Sequence, residues 1–292
     1  MVTDVDSFIF PGFSHNICQD YILKQNDPFP AIVLCDGCST SPYTEVGSQI
    51  LCHTFMNWLN KCPKLIQLDD PLFMYNVFKD SSEIINRLGL TQESLNCTLL
   101  YIIYYDGHIY YDVYGDGLIF MVSNGESKLI EINFSSNMPF YYAYTLNKRN
   151  SDHYFKQNEG EKKRIREIHF KDARFKEKKS ENGTDIPFCE ENYENTVHIP
   201  KFFELIELDS EDNSKGIEFI GISSDGLSSF INRSTRELVG LNTIIPQVFS
   251  FKSLAGEFLN RRMKRMVSDL SKESIFPSDD LSCGLLNFKK SG

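Results

Sequence analysis

LLYIIYYDGHIYYDVYGDGLIFMVSNGESKLIEI, residues 99–132, is the stretch that decides the fold. Leu99–Tyr105 and His108–Tyr114 are runs of aromatic and β-branched residues on either side of Asp106-Gly107. An Asp-Gly pair between two such runs is the strongest short hairpin signal. Leu118–Ser123 and Ser127–Ile132 form a second pair around Asn124-Gly125. Strands joined by turns this short must run antiparallel, because parallel neighbours need a long crossover. The segment therefore reads as a meander and not as a βαβ array.

Upstream, Ala31–Cys35 reads as a short buried strand and Asp36 to Pro42 as a polar loop of small residues. Glu45, Val46, Ile50, Leu51, Phe55 and Leu59 fall near helical spacing, which predicts an amphipathic helix over Thr44–Asn60. Pro71, followed by Leu72, Tyr75, Val77, Phe78, Ile84 and Leu88, opens a second helix. Downstream, Lys148 to Lys179 is crowded with Lys and Arg, and acids dominate from Glu181 to Glu218. The stretch 148–195 reads as a long charged insertion, partly mobile, within a single domain spanning 1–292. It is either a solvated face or a contact surface for a phosphorylated or acidic partner. Order returns at Val197–Leu208, and Ile217–Ser223 is a buried strand. Residues 234–270 read as mostly helical with a break near Pro246, and Leu281–Phe288 as a closing strand. Strands in two blocks with helix pairs between them suggest stacked sheets covered by helices.

The bulk properties exclude several functions. A net charge of −10 argues against nucleic-acid binding, which needs a basic face. It suits a protein that gathers carboxylates around cations, and equally one that is simply soluble. No apolar run is long enough to span a membrane, and Met1 to Phe10 lacks the pattern of a secretory signal. Eight cysteines in 292 residues are too sparse for a disulfide scaffold, so reduced thiols and a cytoplasmic location are expected. Cys35-x-x-Cys38 is also the spacing of a redox pair or half a zinc site. A structural zinc needs four ligands, no second such pair exists, and Cys35 belongs to an apolar strand.

Asp-Gly pairs stand at 36, 106, 116 and 225. Such a pair is ordinarily a turn, and Asp106 fits that reading. Asp36 and Asp225 fit it less well, since each ends a buried apolar run, Ala-Ile-Val-Leu-Cys and Phe-Ile-Gly-Ile-Ser-Ser. A strand end is a rigid mount for a carboxylate. Two carboxylates converging there would repel each other unless a cation lay between them. Oxygen ligands alone suit Mg²⁺ or Mn²⁺, with water completing the octahedron. Gly37 would let a backbone carbonyl approach the same ion. Asp20, at the start of Gln-Asp-Tyr-Ile-Leu, and Asp279-Asp280, before the last strand, extend the acidic set.

Five segments follow one another: Ala-Ile-Val-Leu-Cys-Asp36-Gly37, Asn96-Cys97-Thr98-Leu99-Leu100, Tyr114-Gly115-Asp116-Gly117, Ser223-Ser224-Asp225-Gly226-Leu227 and Ser278-Asp279-Asp280-Leu281-Ser282. In that order they resemble the Asp-Gly, Thr-Thr-Leu, Gly-Asp-Ser, Ser-Asp-Gly-Leu and Asp-Asn-x-Thr motifs of the type-2C (PPM) metal-dependent serine/threonine protein phosphatases. Gly12-Phe13-Ser14-His15 followed by Cys18-Gln19-Asp20 is similar to the Ser-His…Cys-Gln-Asp signature of a bacterial-type subgroup.

The resemblance implies an α+β fold, a four-layer αββα sandwich of two antiparallel sheets flanked by helices. It implies two or three Mn²⁺ or Mg²⁺ ions, with Asp36 bridging two of them, the Gly37 carbonyl on one, and Asp225 and Asp279 on the other. Asp20 would act nearby, through water, and Asp116 at a weaker third ion. The implied reaction is two-metal hydrolysis of phosphoserine and phosphothreonine, with hydroxide held between the ions as nucleophile. Asp36, Asp225 and His15 are the expected catalytic residues. Phosphorylated proteins are the implied substrates, and an opposing serine/threonine kinase the implied partner. Three departures stand out. His15 is the nearest candidate where many relatives hold the substrate phosphate with an arginine, Cys38 stands where animal relatives carry a histidine, and Gly117 and Asp280 replace Ser and Asn. These departures and the charged insertion leave a second reading, a pseudophosphatase that binds phosphoproteins without hydrolysing them.

Overall fold

Leu99–Tyr105 and His108–Tyr114 pair antiparallel across a turn in which Asp106 and Gly107 have φ of +48° and +80°. Positive φ at both central residues is what a two-residue turn needs to match the twist of its strands. The computed structural model describes residues 4–61, 71–123, 126–170, 178–187, 206–207 and 216–288. The Asn124-Gly125 turn and most of Val197–Leu208 lie outside them.

In chain order the strands are β1 (Asp4–Phe10), β2 (Tyr21–Gln25), β3 (Ala31–Cys35), β4 (Leu99–Tyr105), β5 (His108–Tyr114), β6 (Gly117–Ser123), β7 (Glu126–Phe134), β8 (Lys162–Phe170), β9 (Lys178–Pro187), β10 (Ile206–Glu207), β11 (Ile217–Ser223), β12 (Phe230–Asn232), β13 (Glu237–Leu238), β14 (Ile275–Pro277) and β15 (Leu281–Asn287). The helices are α1 (Thr44–Lys61), α2 (Pro71–Arg87), α3 (Lys148–Gln157), α4 (Leu241–Val248) and α5 (Phe258–Lys272). One sheet has the order β1-β15-β11-β6-β7-β8-β9 and the second β10-β5-β4-β3-β2. Every pairing in both is antiparallel.

Alternation along the strands sorts the apolar residues into three cores. Ile32, Leu34, Leu100, Ile102, Ile119 and Ile220 pack between the sheets. Ala31, Val33 and Cys35, on the other face of β3, meet Leu51, Phe55 and Phe78 of α1 and α2. Leu118, Phe120 and Leu285 of the larger sheet meet Ile244, Phe258, Met263 and Met266 of α4 and α5. The layers are therefore helix, sheet, sheet, helix, as expected. No helix among the described residues is long and apolar enough to cross a membrane.

Two local readings differ. Residues 148–195 supply α3, β8 and β9, of which the two strands extend the larger sheet at its edge. Cross-strand charge pairs hold this edge and disguise it in the sequence. Arg166 pairs with Glu131 opposite and lies 3.4 Å from Glu181, and Lys128 lies 3.1 Å from Glu167. The break expected near Pro246 is present, α4 ending at Val248 with Pro246 in its last turn and α5 starting only at Phe258, but Glu237–Leu238 at the start of the stretch read as helical is strand β13. The N–H that Pro246 lacks frees only the carbonyl of Asn242, an exposed residue to which water has access.

Gly117 has φ of +135°, and a Cβ there would lie 2.7 Å from Leu100 and 3.0 Å from the Ser223 carbonyl. Gly117→Ser is therefore expected to destabilise the protein by about 2 kcal/mol. Urea denaturation measures this, and an unchanged midpoint would refute the assigned backbone.

Candidate active site

Four strand ends point into one cleft of about 360 Å³. Asp36 follows β3, Asp116 lies in the β5–β6 connection, Asp225 follows β11, and Asp279 stands two residues before β15. All four line the cleft, with Gly37 and His15. Asp20 does not line it. It is buried behind the wall, within hydrogen-bonding reach of Asp36. The structure thus brings every acidic residue singled out from the sequence to one region.

The mounts are short and specific. The Asp36 N–H donates to Thr98 Oγ1 at 3.1 Å, and the Thr98 N–H donates to the Asp36 carbonyl at 2.8 Å. Ser224 Oγ donates to Asp20 Oδ2 at 2.8 Å and accepts from the Ser282 N–H at 3.0 Å. A Cβ on Gly226 would lie 1.8 Å from the Asp280 carbonyl oxygen, so only glycine lets the Asp225 turn close onto the Asp279-Asp280 segment.

Burial is the largest cause pushing the carboxyls of Asp36, Asp225, Asp20 and Asp116 up, and charges of neighbouring aspartates add to it. Asp36 and Asp225 are held well above the usual carboxylate range by burial and then by the other aspartates. Asp20 is pushed up to about 7 and Asp116 to about 6, burial leading in both. Asp20 Oδ1 and Asp225 Oδ1 are buried and have no hydrogen-bond partner. Orphaned carboxylate oxygens in an all-oxygen donor set fit a hard divalent cation, which would lower every one of these pKa values.

His15 Nδ1 lies 2.9 Å from Asp280 Oδ2 and 3.5 Å from Asp279 Oδ1. Burial alone would lower its pKa, but the Asp280 hydrogen bond and the flanking carboxylates outweigh this and raise it. Cys35 and Cys38 do not form a site. Cys35 is buried in the core against α1, whereas Cys38 lies in the cleft with Sγ 3.1 Å from Thr40 Oγ1.

Two features escaped the sequence reading. The wall facing the aspartates is aromatic, built from Met138, Pro139, Tyr141, Tyr144 and Tyr154. Its signal, the dense aromatic run of residues 140–144, has no periodicity that marks it as a wall. Lys163 of β8 is buried, with Asp112 and Asp116 near enough to act on its charge. Burial lowers it to about 8 against the pull of those two carboxylates. In the sequence it was one residue of a basic run.

Two stacked antiparallel sheets with an acidic cleft where their strands end define a protein of the αββα-sandwich class. The chain belongs to the protein phosphatase 2C family, whose model matches residues 14–274. It is similar in structure to a bacterial serine phosphatase, with a TM-score of 0.52 at 11% identity over 100% of both chains. A serine/threonine phosphatase of S. agalactiae gives a TM-score of 0.50 at 14% identity, over 98% of this chain and 99% of that one. No curated protein matches the sequence. At such identities the structural likeness speaks for the fold.

The raised carboxyls set a pH dependence. A group with a higher pKa folded than unfolded stabilises the fold below its unfolded pKa and loses that contribution as pH rises through the folded value. The metal-free protein should therefore lose thermal stability between about pH 4 and about pH 7, the span from the ordinary aspartate value to that of Asp20. Scanning fluorimetry in EDTA measures this, with Mn²⁺ expected to remove most of the loss. A metal-free melting temperature that rises across that window would contradict the assignment.

Proposed function

We propose that this protein is a metal-dependent phosphatase of phosphoserine and phosphothreonine in proteins. The observation that carries the proposal is the convergence of four aspartates on one cleft with Asp20 buried behind them, Asp225 and Asp20 each keeping a buried oxygen that no donor meets. Burying like charges together costs free energy unless a cation or a shared proton relieves them. Membership of the protein phosphatase 2C family supports the same reading.

On this reading Asp36, Asp225, Asp279 and the Gly37 carbonyl hold Mn²⁺ or Mg²⁺, with Asp20 close behind and Asp116 available to a further ion. When bound, such ions supply an acidified water as nucleophile and positive charge for the phosphoryl oxygens. The chain's own part is to fix these ligands on strand ends, so that little reorganisation remains when substrate arrives. His15 holds the phosphoryl group from the side of the β1–β2 loop. The tyrosine wall limits water on the opposite side and packs against the residues flanking the phosphorylated one. The substrates are phosphorylated proteins, and an opposing serine/threonine kinase follows from that.

The test is Mn²⁺-dependent hydrolysis of p-nitrophenyl phosphate and a phosphothreonine peptide. Asp36→Asn and Asp225→Asn should each lower kcat by about 10²–10³-fold. Metal-free Asp225→Asn should also melt higher than wild type, because it removes a repelling charge. If wild type and Asp225→Asn were both folded and both inactive on both substrates, the fold would be acting as a phosphoprotein-binding module.

A further inference from the structure

We propose that Asp280 is the positioning residue of this cleft: its carboxylate ties down the loop that carries His15 and turns the imidazole so that Nε2 meets the substrate phosphoryl group. The proposal rests on the phosphatase reading for its substrate and on geometry for its mechanism.

The Asp280 side chain is 1% exposed. Oδ1 accepts from the Gly12 N–H at 2.8 Å. Oδ2 accepts from the Gln19 N–H at 2.7 Å and lies 2.9 Å from His15 Nδ1. Gly12 and Gln19 flank the β1–β2 loop, so one carboxylate holds both ends of the loop and the ring between them. Two backbone bonds lay the same loop along the segment before β15, Phe13 N–H to the Pro277 carbonyl at 3.1 Å and Ser14 N–H to the Ser278 carbonyl at 3.2 Å. A Cβ on Gly12 would fall 2.3 Å from the Asp279 carbonyl carbon, which shows how closely the two segments are laid together.

The chemistry of Asp280 sets the tautomer of His15. A carboxylate oxygen that already receives an N–H can only accept, so Nδ1 carries a proton and Nε2 is left for the cleft. Nε2 and a phosphoryl oxygen then share one proton, whichever of them brings it. Among the described residues lining the cleft, His15 is the only basic side chain. His15, Asp279 and Asp280 are also close enough to hold one ion. Asp280 is nevertheless committed to two backbone N–H groups, which makes it an organiser of the loop first.

Asparagine is the informative substitution. Its NH₂ would face either the Gly12 N–H or the Gln19 and His15 N–H pair, setting donor against donor. In metal-free wild type, the ¹⁵N–¹H spectrum should show a protected His15 Nδ1–H resonance that Asp280→Asn loses. With Mg²⁺ present, calorimetric affinity for inorganic phosphate should fall about tenfold in Asp280→Asn and in His15→Ala. It should fall no further in the double variant, because Asp280 acts through His15. The KM for p-nitrophenyl phosphate should rise by a similar factor, more than kcat falls.

Losses that multiply to about a hundredfold in the double variant would overturn the proposal, as would absence of the Nδ1–H resonance in wild type. That last measurement decides even if Asp280→Asn does not fold. A folded wild type that binds phosphate but hydrolyses neither substrate would remove the phosphatase reading alone, and the resonance and the phosphate titration would still judge Asp280.

Discussion

Carboxylates buried together repel, and the rest of this structure answers that repulsion. Asp36, Asp116, Asp225 and Asp279 line one cleft and Asp20 lies behind it. A flexible loop would relax by swinging such groups into water. Here they are carried on strand ends and in the turns next to them, so the hydrogen-bond ladders of both sheets hold them in place. The stiffness that keeps these acids together would also leave little to reorganise if a cation bound among them.

The layers set where the site can be. The intersheet core of Ile32, Leu34, Leu100, Ile220 and their neighbours fixes the separation of the sheets. Asp36 belongs to one sheet and Asp225 and Asp279 to the other, so the spacing of their carboxylates follows from that packing. Residues that never touch the cleft therefore control it. Gly226 does so through its approach to the Asp280 carbonyl, and Ser224 by bonding to Asp20 and β15 together.

How much of this could be read in the sequence depended on period and on local chemistry. The meander over 99–132 was legible because alternating apolar runs and an Asp-Gly turn act within a few residues. The aspartates were legible because each interrupts or follows a buried run. β8 was not, since its inward positions include Lys163 and its register rests on ion pairs with strands distant in sequence. The tyrosine wall was hidden for a related reason. Tyr141 caps a short helical turn, Tyr144 lies within it and Tyr154 on α3, and only tertiary packing turns them toward the same space. The strand at Glu237–Leu238 was hidden within the stretch read as helical because it is two residues long and defined only by its pairing with β12.

The cleft shares out its counter-charge unequally. Asp116 has Lys163 near it, and its carboxyl is pushed only to about 6. Asp20 has the Ser224 hydroxyl, and reaches about 7. Asp280 has two backbone N–H groups and His15. The largest influences on Asp36 all push its carboxyl upward, and Asp225, likewise raised by burial and by its acidic neighbours, keeps a buried oxygen with no hydrogen-bond partner. The unmet demand for positive charge is thus greatest at the two aspartates that end β3 and β11. A divalent cation between them would satisfy both sheets at once. Neutralising Asp116 alone would leave that demand standing, because its charge is already partly answered by a lysine in the chain itself.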